Sequence, residues 1–370
     1  MQAEMTNQMA RRARARIIGA LLSKDLLEAV KNRTVFANIL ISLAMALFYR
    51  YMPLLHAGDP MRLPIYEPGA NPVLSVALQE SSPAFKVYTL NSVQRLERFL
   101  ASGESPELGL IVPADFEQTL KSGQTPILSG YVMYWVSAGQ AEQLRLQVEE
   151  EITAALGRPV QIKLEERTIY PGPESTGPFF SAAMALIFVT VMIGVTSIPH
   201  LMIEERQRRT LDALLVSPAT IWQIVISKAL TGVAYTLGGA VVVLALNYTF
   251  IRNWPLAIIT AIGAALFCVS CGLLLGSAIK TLPQLVLWSW VFLVPLLLSL
   301  FLSIEAGVLV PASWAPFLHW VPTVALGRAF RASCAPSLPP RMYLPDLAVG
   351  FGAAAVVLLA VRWIIRRSDR

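Results

Sequence analysis

The sequence predicts a polytopic α-helical membrane protein with six transmembrane helices and an α/β extracytoplasmic domain inserted between the first two. Three observations carry that reading. Residues 179–203, 229–251, 254–279 and 281–304 contain no Asp, Glu, Lys or Arg. Residues 51–178 lack such runs and alternate between strand-like and helix-like patterns. Lys and Arg gather beside the apolar runs on one predicted side.

A hydrocarbon core about 30 Å thick needs roughly 20 residues of helix, so each uncharged run can span it. A shorter candidate precedes them at 34–50, and a last one at 344–365 tolerates Asp346 and Arg362 near its ends. The expected spans are therefore 34–50, 179–203, 221–251, 254–279, 281–304 and 344–365. Residues 1–33 are polar and basic without an early apolar core. The first span is thus expected to act as an uncleaved anchor.

Lys and Arg beside spans favour the cytoplasm. Arg11, Arg12, Arg14, Arg16, Lys24, Lys31 and Arg33 precede the first span; Arg206, Arg208, Arg209 and Lys228 lie between the second and third. Lys280, Arg362, Arg366, Arg367 and Arg370 fall on that same side, whereas the opposite loops offer Arg252, Arg328, Arg331 and Arg341. Both termini, including the tail 366–370, are expected in the cytoplasm. Residues 51–178 then lie outside, with 9 Lys/Arg against 15 Asp/Glu, while the whole chain is at +6. The basic surplus reads as a topology signal and not as a nucleic-acid surface.

Within the insertion, "FKVYT" (85–89), "ELGLIVP" (107–113), "PILSGYVMYW" (126–135) and "PVQIKLEERTI" (159–169) have strand character. "SVQRLERFLASG" (92–103), "ADFEQTLKSG" (114–123) and "AGQAEQLRLQVEEEITAALG" (138–157) have helical periodicity and end at Gly. Alternation of the two favours a layered α/β arrangement. The Pro- and Gly-rich stretches 63–72 and 170–178 read as stiff tethers.

Enzyme chemistry finds little support. No Gly-Lys dipeptide occurs, which excludes a GxxxxGK[ST] phosphate loop, and no GxSxG stretch is present. His56, His200 and His319 are scattered, and Cys268, Cys271 and Cys334 form no disulfide pattern. The span centres carry no ionisable residue; Glu305 lies at an outer end. No cofactor is expected in this chain.

"EERQRRTLDALLVSPATIWQIVISK" (204–228) sits between two apolar spans. On a helix Leu211, Leu214 and Leu215 share one face, Glu204, Glu205, Arg208 and Asp212 occupy the remainder, and Ser217-Pro218 ends the element. Two readings stand: a solvated interfacial helix, or a helix that docks into a groove of a cytoplasmic partner.

The stretch resembles the coupling segment of type-2 ATP-binding-cassette (ABC-2) transporter permeases at Glu204, Glu205, Thr210, Leu211, Leu214, Leu215, Val216, Ser217 and Pro218. Arg209 stands where the pattern has Gly before Thr, and Ser227 where it has Gly before Lys228. "LLSKDLLEAVKNRTVF" (21–36) is similar to the amphipathic cytoplasmic helix that precedes the first span, placed here within 1–33. "LGLIVPADFEQTLKSG" (108–123), "CGLLLGSAIKTLPQ" (271–284) and "WAPFLHWVPTVALGRAFRA" (314–332) match further family segments in order.

The resemblance implies a dimer of permeases in a bacterial inner membrane, with a second copy or a sibling, bound to separate ABC ATPase subunits that carry ATP and Mg. The coupling helix, 204–220, would engage the ATPase through Glu204, Glu205, Arg206, Thr210, Leu211, Leu214, Leu215, Ser217 and Pro218. Within the loop 305–343, Pro316, Pro322 and Gly327 suggest re-entrant helices, an ordinary loop being the alternative. A translocation path along the second and fifth spans would be apolar and lined by Met192, Trp288, Trp290 and Phe292, suiting an amphipathic or apolar substrate. Membrane lipid, and a periplasmic adaptor on the acidic insertion, are further expected partners. The competing reading is a membrane-anchored sensor or assembly protein with a ligand-binding ectodomain.

Overall fold

A computed structural model describes residues 19–20, 22–25, 27, 32–51, 60–68, 72–101, 108–165, 169–207, 221–304 and 311–368. The chain divides into two compact units, residues 51–181 with 334–336, and the remainder.

The smaller unit is built on strands β1 (Met61–Tyr66), β2 (Phe85–Leu90), β3 (Leu108–Ile111), β4 (Ile127–Val132) and β5 (Gln161–Leu164), in the order β2-β1-β3-β4-β5. β1 is parallel to β2 and β3, β3 is antiparallel to β4, and β4 is parallel to β5. Helices α2 (Val73–Ser81), α3 (Val93–Ala101), α4 (Phe116–Lys121) and α5 (Ala138–Leu156) alternate with the strands. Period-two alternation sends Leu63, Ile65, Leu108, Leu110 and Leu128 into one core with Leu74, Leu78, Val148 and Ile152 from the helices. Leu96 and Leu100 of α3 form a second cluster with Met133 and Ile169. Each fully buried Leu or Ile removes enough apolar surface from water to contribute about 1.5–3 kcal/mol.

The tether expected at 63–72 is corrected by the structure. Its first part is β1, the strand between β2 and β3. The Tyr66 carbonyl accepts from Val112 N, so the even residues of β1 face β3. Pro64 faces that way too, but the β1–β3 ladder covers only Ile65 and Tyr66. The missing N–H therefore costs one bond at the ladder's beginning, where Pro is tolerated. Glu67 then caps α2: its carboxylate accepts from Leu74 N (3.0 Å), Ser75 N (3.2 Å) and Ser75 Oγ (2.6 Å). At α5, Ser137 and Gln140 form a reciprocal capping box, and Gly157 ends the helix at φ 64°. Glu165 begins the part of 159–169 that lies beyond β5, and residues 166–168 fall outside the described ones.

The larger unit is helical. α1 (Arg33–Tyr51) is followed by α6 (Gly177–Val191), a π-helical turn (Met192–Ser197) and α7 (Ile198–Gln207). Next come α8 (Ile221–Leu246), α9 (Trp254–Ala278), α10 (Leu282–Ile304), the short α11 (Ala315–Leu318), α12 (Pro322–Ala332) and α13 (Leu344–Ser368). Among the described residues, five helical stretches are long and apolar enough to cross a membrane: Gly177–Glu204, Gln223–Leu246, Trp254–Ala278, Leu282–Ser303 and Leu344–Arg367. The first candidate span forms a shorter apolar helix, Val35–Tyr51. Together they make this a polytopic membrane protein.

α9 is the central helix, packed on α13, α8, α12 and the π turn. Cys268, Gly272 and Gly276, spaced four apart, form a smooth stripe against the π turn and α7. A Cβ on Gly272 would lie 2.1 Å from the Gly194 carbonyl oxygen, and one on Gly276 would lie 2.6 Å from Met202 Sδ. Without a hydrophobic drive between helices in lipid, such close backbone approach supplies the packing. Outward faces carry large apolar side chains such as Phe36, Leu40, Val241, Val356 and Trp363.

Candidate coupling site

The site is built around the two helix ends that flank residues 208–220, which lie outside the described residues together with the predicted Thr210, Leu211, Leu214, Leu215, Ser217 and Pro218. Glu204, Glu205 and Arg206 fall in the last turns of α7. Of these, Glu204 is held: its Oε2 accepts from Asn32 Nδ2, and His200 Nε2 lies 3.9 Å away, one turn earlier. Asn32 works in two directions, since its Oδ1 also accepts from Val35 N (3.2 Å) and so caps α1. Beneath this contact Val35 and Leu201 pack together with Ile39 and Tyr235.

The other flank is tied to the same N-terminal region. Lys228 Nζ on α8 donates to Asp25 Oδ1 at 2.8 Å, and Ser227 Oγ donates to Asp25 Oδ2 at 3.2 Å. Both charged side chains are buried, 6% and 4% exposed. Each carboxylate oxygen therefore has its own donor, which a buried ion pair requires to offset its desolvation. The Ser that replaces Gly in the family pattern has a role here: it supplies the second donor. Residues just before α1 thus grip the start of α8 through Asp25 and the end of α7 through Asn32.

A further polar contact reaches the π turn. Thr196 Oγ1 donates to Met192 O, and Asn38 Nδ2 of α1 donates to Thr196 Oγ1 at 3.2 Å. Of the predicted path residues, Met192 opens the π turn and is half-buried, as is Phe292. Trp288 and Trp290 lie on outward faces of α10, 48% and 56% exposed, with Ser289 and Leu293 turned inward. A single chain does not bring the two tryptophans into an enclosed route.

The segment 314–332 is a broken helix: a 3-10 turn (Ala312–Trp314), α11 and α12. Arg328 of α12 meets Asp346 of α13 at 3.2 Å through Nε, and its Nη1 lies 3.1 Å from His319 Nε2. Sequence reasoning missed Asp25, Asn32, Asn38 and this cluster. Asn32 before an apolar run is a legible cap signal, whereas the partners of Asp25 and Arg328 are not local. Among the described residues no group of three or more His, Cys, Asp or Glu could hold a metal ion.

The apolar helices among the described residues, with two helix ends braced on either side of residues 208–220, are what a membrane-embedded permease would present. The chain belongs to the ABC-2 family of transporter proteins, whose profile matches residues 34–363. It is similar to the probable multidrug ABC transporter permease YbhR of Escherichia coli strain K12, and to that of strain O157:H7. Each is 30% identical over 222 residues, covering 56% of this chain and 59% of the relative. The match thus spans little over half of the length of these relatives. No solved structure matches.

Proposed function

We propose that this chain is the membrane-spanning subunit of an ATP-driven ABC exporter, coupling ATP hydrolysis by a separate ATPase to efflux of an apolar or amphipathic substrate. The observation that carries the reading is the double brace at the flanks of 208–220. A segment that receives force from an ATPase has to transmit it, and Asp25–Lys228 and Asn32–Glu204 join the helices on both sides of it to the region before α1. In this reading α1 is a sixth span, residues 51–178 are extracytoplasmic, both termini are cytoplasmic and α11–α12 re-enter from the outer side. Two permease copies share two ATPase subunits, and alternating states follow from unequal contacts in each. The multidrug description of the relatives supports an apolar cargo.

The test is a pull-down from mild detergent, comparing wild type with Glu205→Lys/Leu211→Asp. A co-purifying ATPase that the double variant loses is the expected result. No ATPase in any detergent or in membranes would favour the sensor or assembly reading instead.

The outward tryptophans carry a second expectation. If two copies enclose the path, Trp288→Ala/Trp290→Ala lowers export of an apolar dye while the protein level stays unchanged. Full export by that variant would remove the tryptophans from the path.

A further inference from the structure

The two edges of the five-stranded sheet are unequal. At β5 the register with β4 turns Gln161 N inward, to the Pro126 carbonyl, and therefore turns Ile162 outward. That outward N–H is covered: it donates to Glu149 Oε1 of α5 at 2.5 Å, and Arg145 holds the same oxygen at 2.6 Å. A charged side chain laid on the strand is a guard against edge pairing.

At β2 no such guard is present among the described residues. Met61 N donates to Ala84 O, so Lys86 and Tyr88 face β1 and the backbone groups of Phe85, Val87 and Thr89 face outward. The outward groups of Val87 and Thr89 have no hydrogen-bond partner among the described residues. β2 pairs with β1 along all six of its residues, so the strand is fully formed up to its outward side. Its one charge, Lys86, does not block that side, because its Nζ lies over the Tyr88 ring, 5.7 Å from the centroid.

We propose that the β2 edge pairs antiparallel with β2 of a second copy of this chain, across a twofold axis at Val87, to make a continuous ten-stranded sheet. The inference rests on the two-copy reading above and names the surface through which the copies join. The outward-facing odd residues fix the register. Centring on Val87 makes Val87 a hydrogen-bonded pair with itself and pairs Phe85 with Thr89. It also sets Lys86 opposite Tyr88 of the second copy, extending onto the neighbour the ring contact already made within the strand. Centring one residue earlier would instead oppose Lys86 to Lys86, which like charges disfavour. The self-complementary register is a property of "FKVYTL" itself, which is why a second copy is the occupant.

The experiment uses the full chain in native membranes. In a hydrogen-bonded antiparallel pair the Cα atoms lie about 5.5 Å apart. Val87→Cys is expected to give a dimer with a short bis-maleimide, and Gln161→Cys at the guarded edge is expected to give none. Thr89→Pro, added to Val87→Cys, removes an outward N–H without touching the ladder to β1, and is expected to abolish the dimer. The mass of the purified chain is measured by light scattering alongside. A dimeric mass without a Val87 cross-link overturns the edge pairing and leaves the two-copy reading standing. A monomeric mass in detergent and in membranes overturns both. Val87 also packs against the domain core, so access is read separately: a Val87→Cys thiol that reacts with a mono-maleimide yet gives no cross-linked dimer overturns the proposal as well.

Discussion

Lys228→Met is expected to destabilise the helical unit by about 3–5 kcal/mol, because it leaves the Asp25 carboxylate buried with the Ser227 hydroxyl as its remaining donor among the described residues. The asymmetry between breaking and replacing the pair makes the prediction specific. Removing one charge strands the other in a low-dielectric site, whereas removing both exchanges an ion pair for apolar contact. Asp25→Leu/Lys228→Met is therefore expected to recover most of the lost stability. Thermal melting followed by size-exclusion chromatography reads both. The double variant also separates folding from coupling: a stable protein that no longer responds to its ATPase would place the pair in force transmission. Equal melting of wild type and Lys228→Met would show that the pair is not closed in the protein.

Gly272→Ala carries the second large effect. The added methyl would stand 2.1 Å from the Gly194 carbonyl oxygen and 3.3 Å from Pro199 Cδ. A backbone oxygen cannot rotate aside as a side-chain tip can, so α9 has to separate from the π turn. Overpacking of this kind costs about 1–3 kcal/mol, and the upper end applies where backbone must move. Gly238→Ala is the matched control, since a Cβ there meets nothing within 4 Å. In a helix interior that change is expected to be neutral or stabilising by up to about 1 kcal/mol. Similar melting of the two variants would show that the close crossing is not formed.

The long spans were legible because lipid imposes a compositional rule, and the alternation of 85–157 was legible because strands and helices differ in period. β1 was hidden by Pro64 and Pro68, which read as tether chemistry; only the short β1–β3 ladder shows why Pro64 is tolerated. Helix α2 was hidden with it, since its cap is Glu67, seven residues before the Leu74 N–H it accepts from, and not the neighbouring Pro72. The π turn leaves no signature of its own in an all-apolar run. At the coupling site, Glu204 was found through its motif, but Asp25 and Lys228 are 203 residues apart and no local pattern joins them. Trp288 and Trp290 read in the sequence as apolar path residues; a protomer alone turns them outward, because Leu285, Ser289 and Leu293 occupy the inward face of α10.

The π turn at Met192–Ser197 holds a spare residue in the shaft that ends at Glu204. An α-helix advances 1.5 Å and about 100° per residue, so straightening this turn would wind α7 through roughly that angle relative to α6. Glu204 would swing off Asn32, and Thr196 off Asn38, in one movement. The wide turn is in this sense a stored quarter-revolution, lodged where α9 crosses at Gly272 and ahead of the helix end at Gln207.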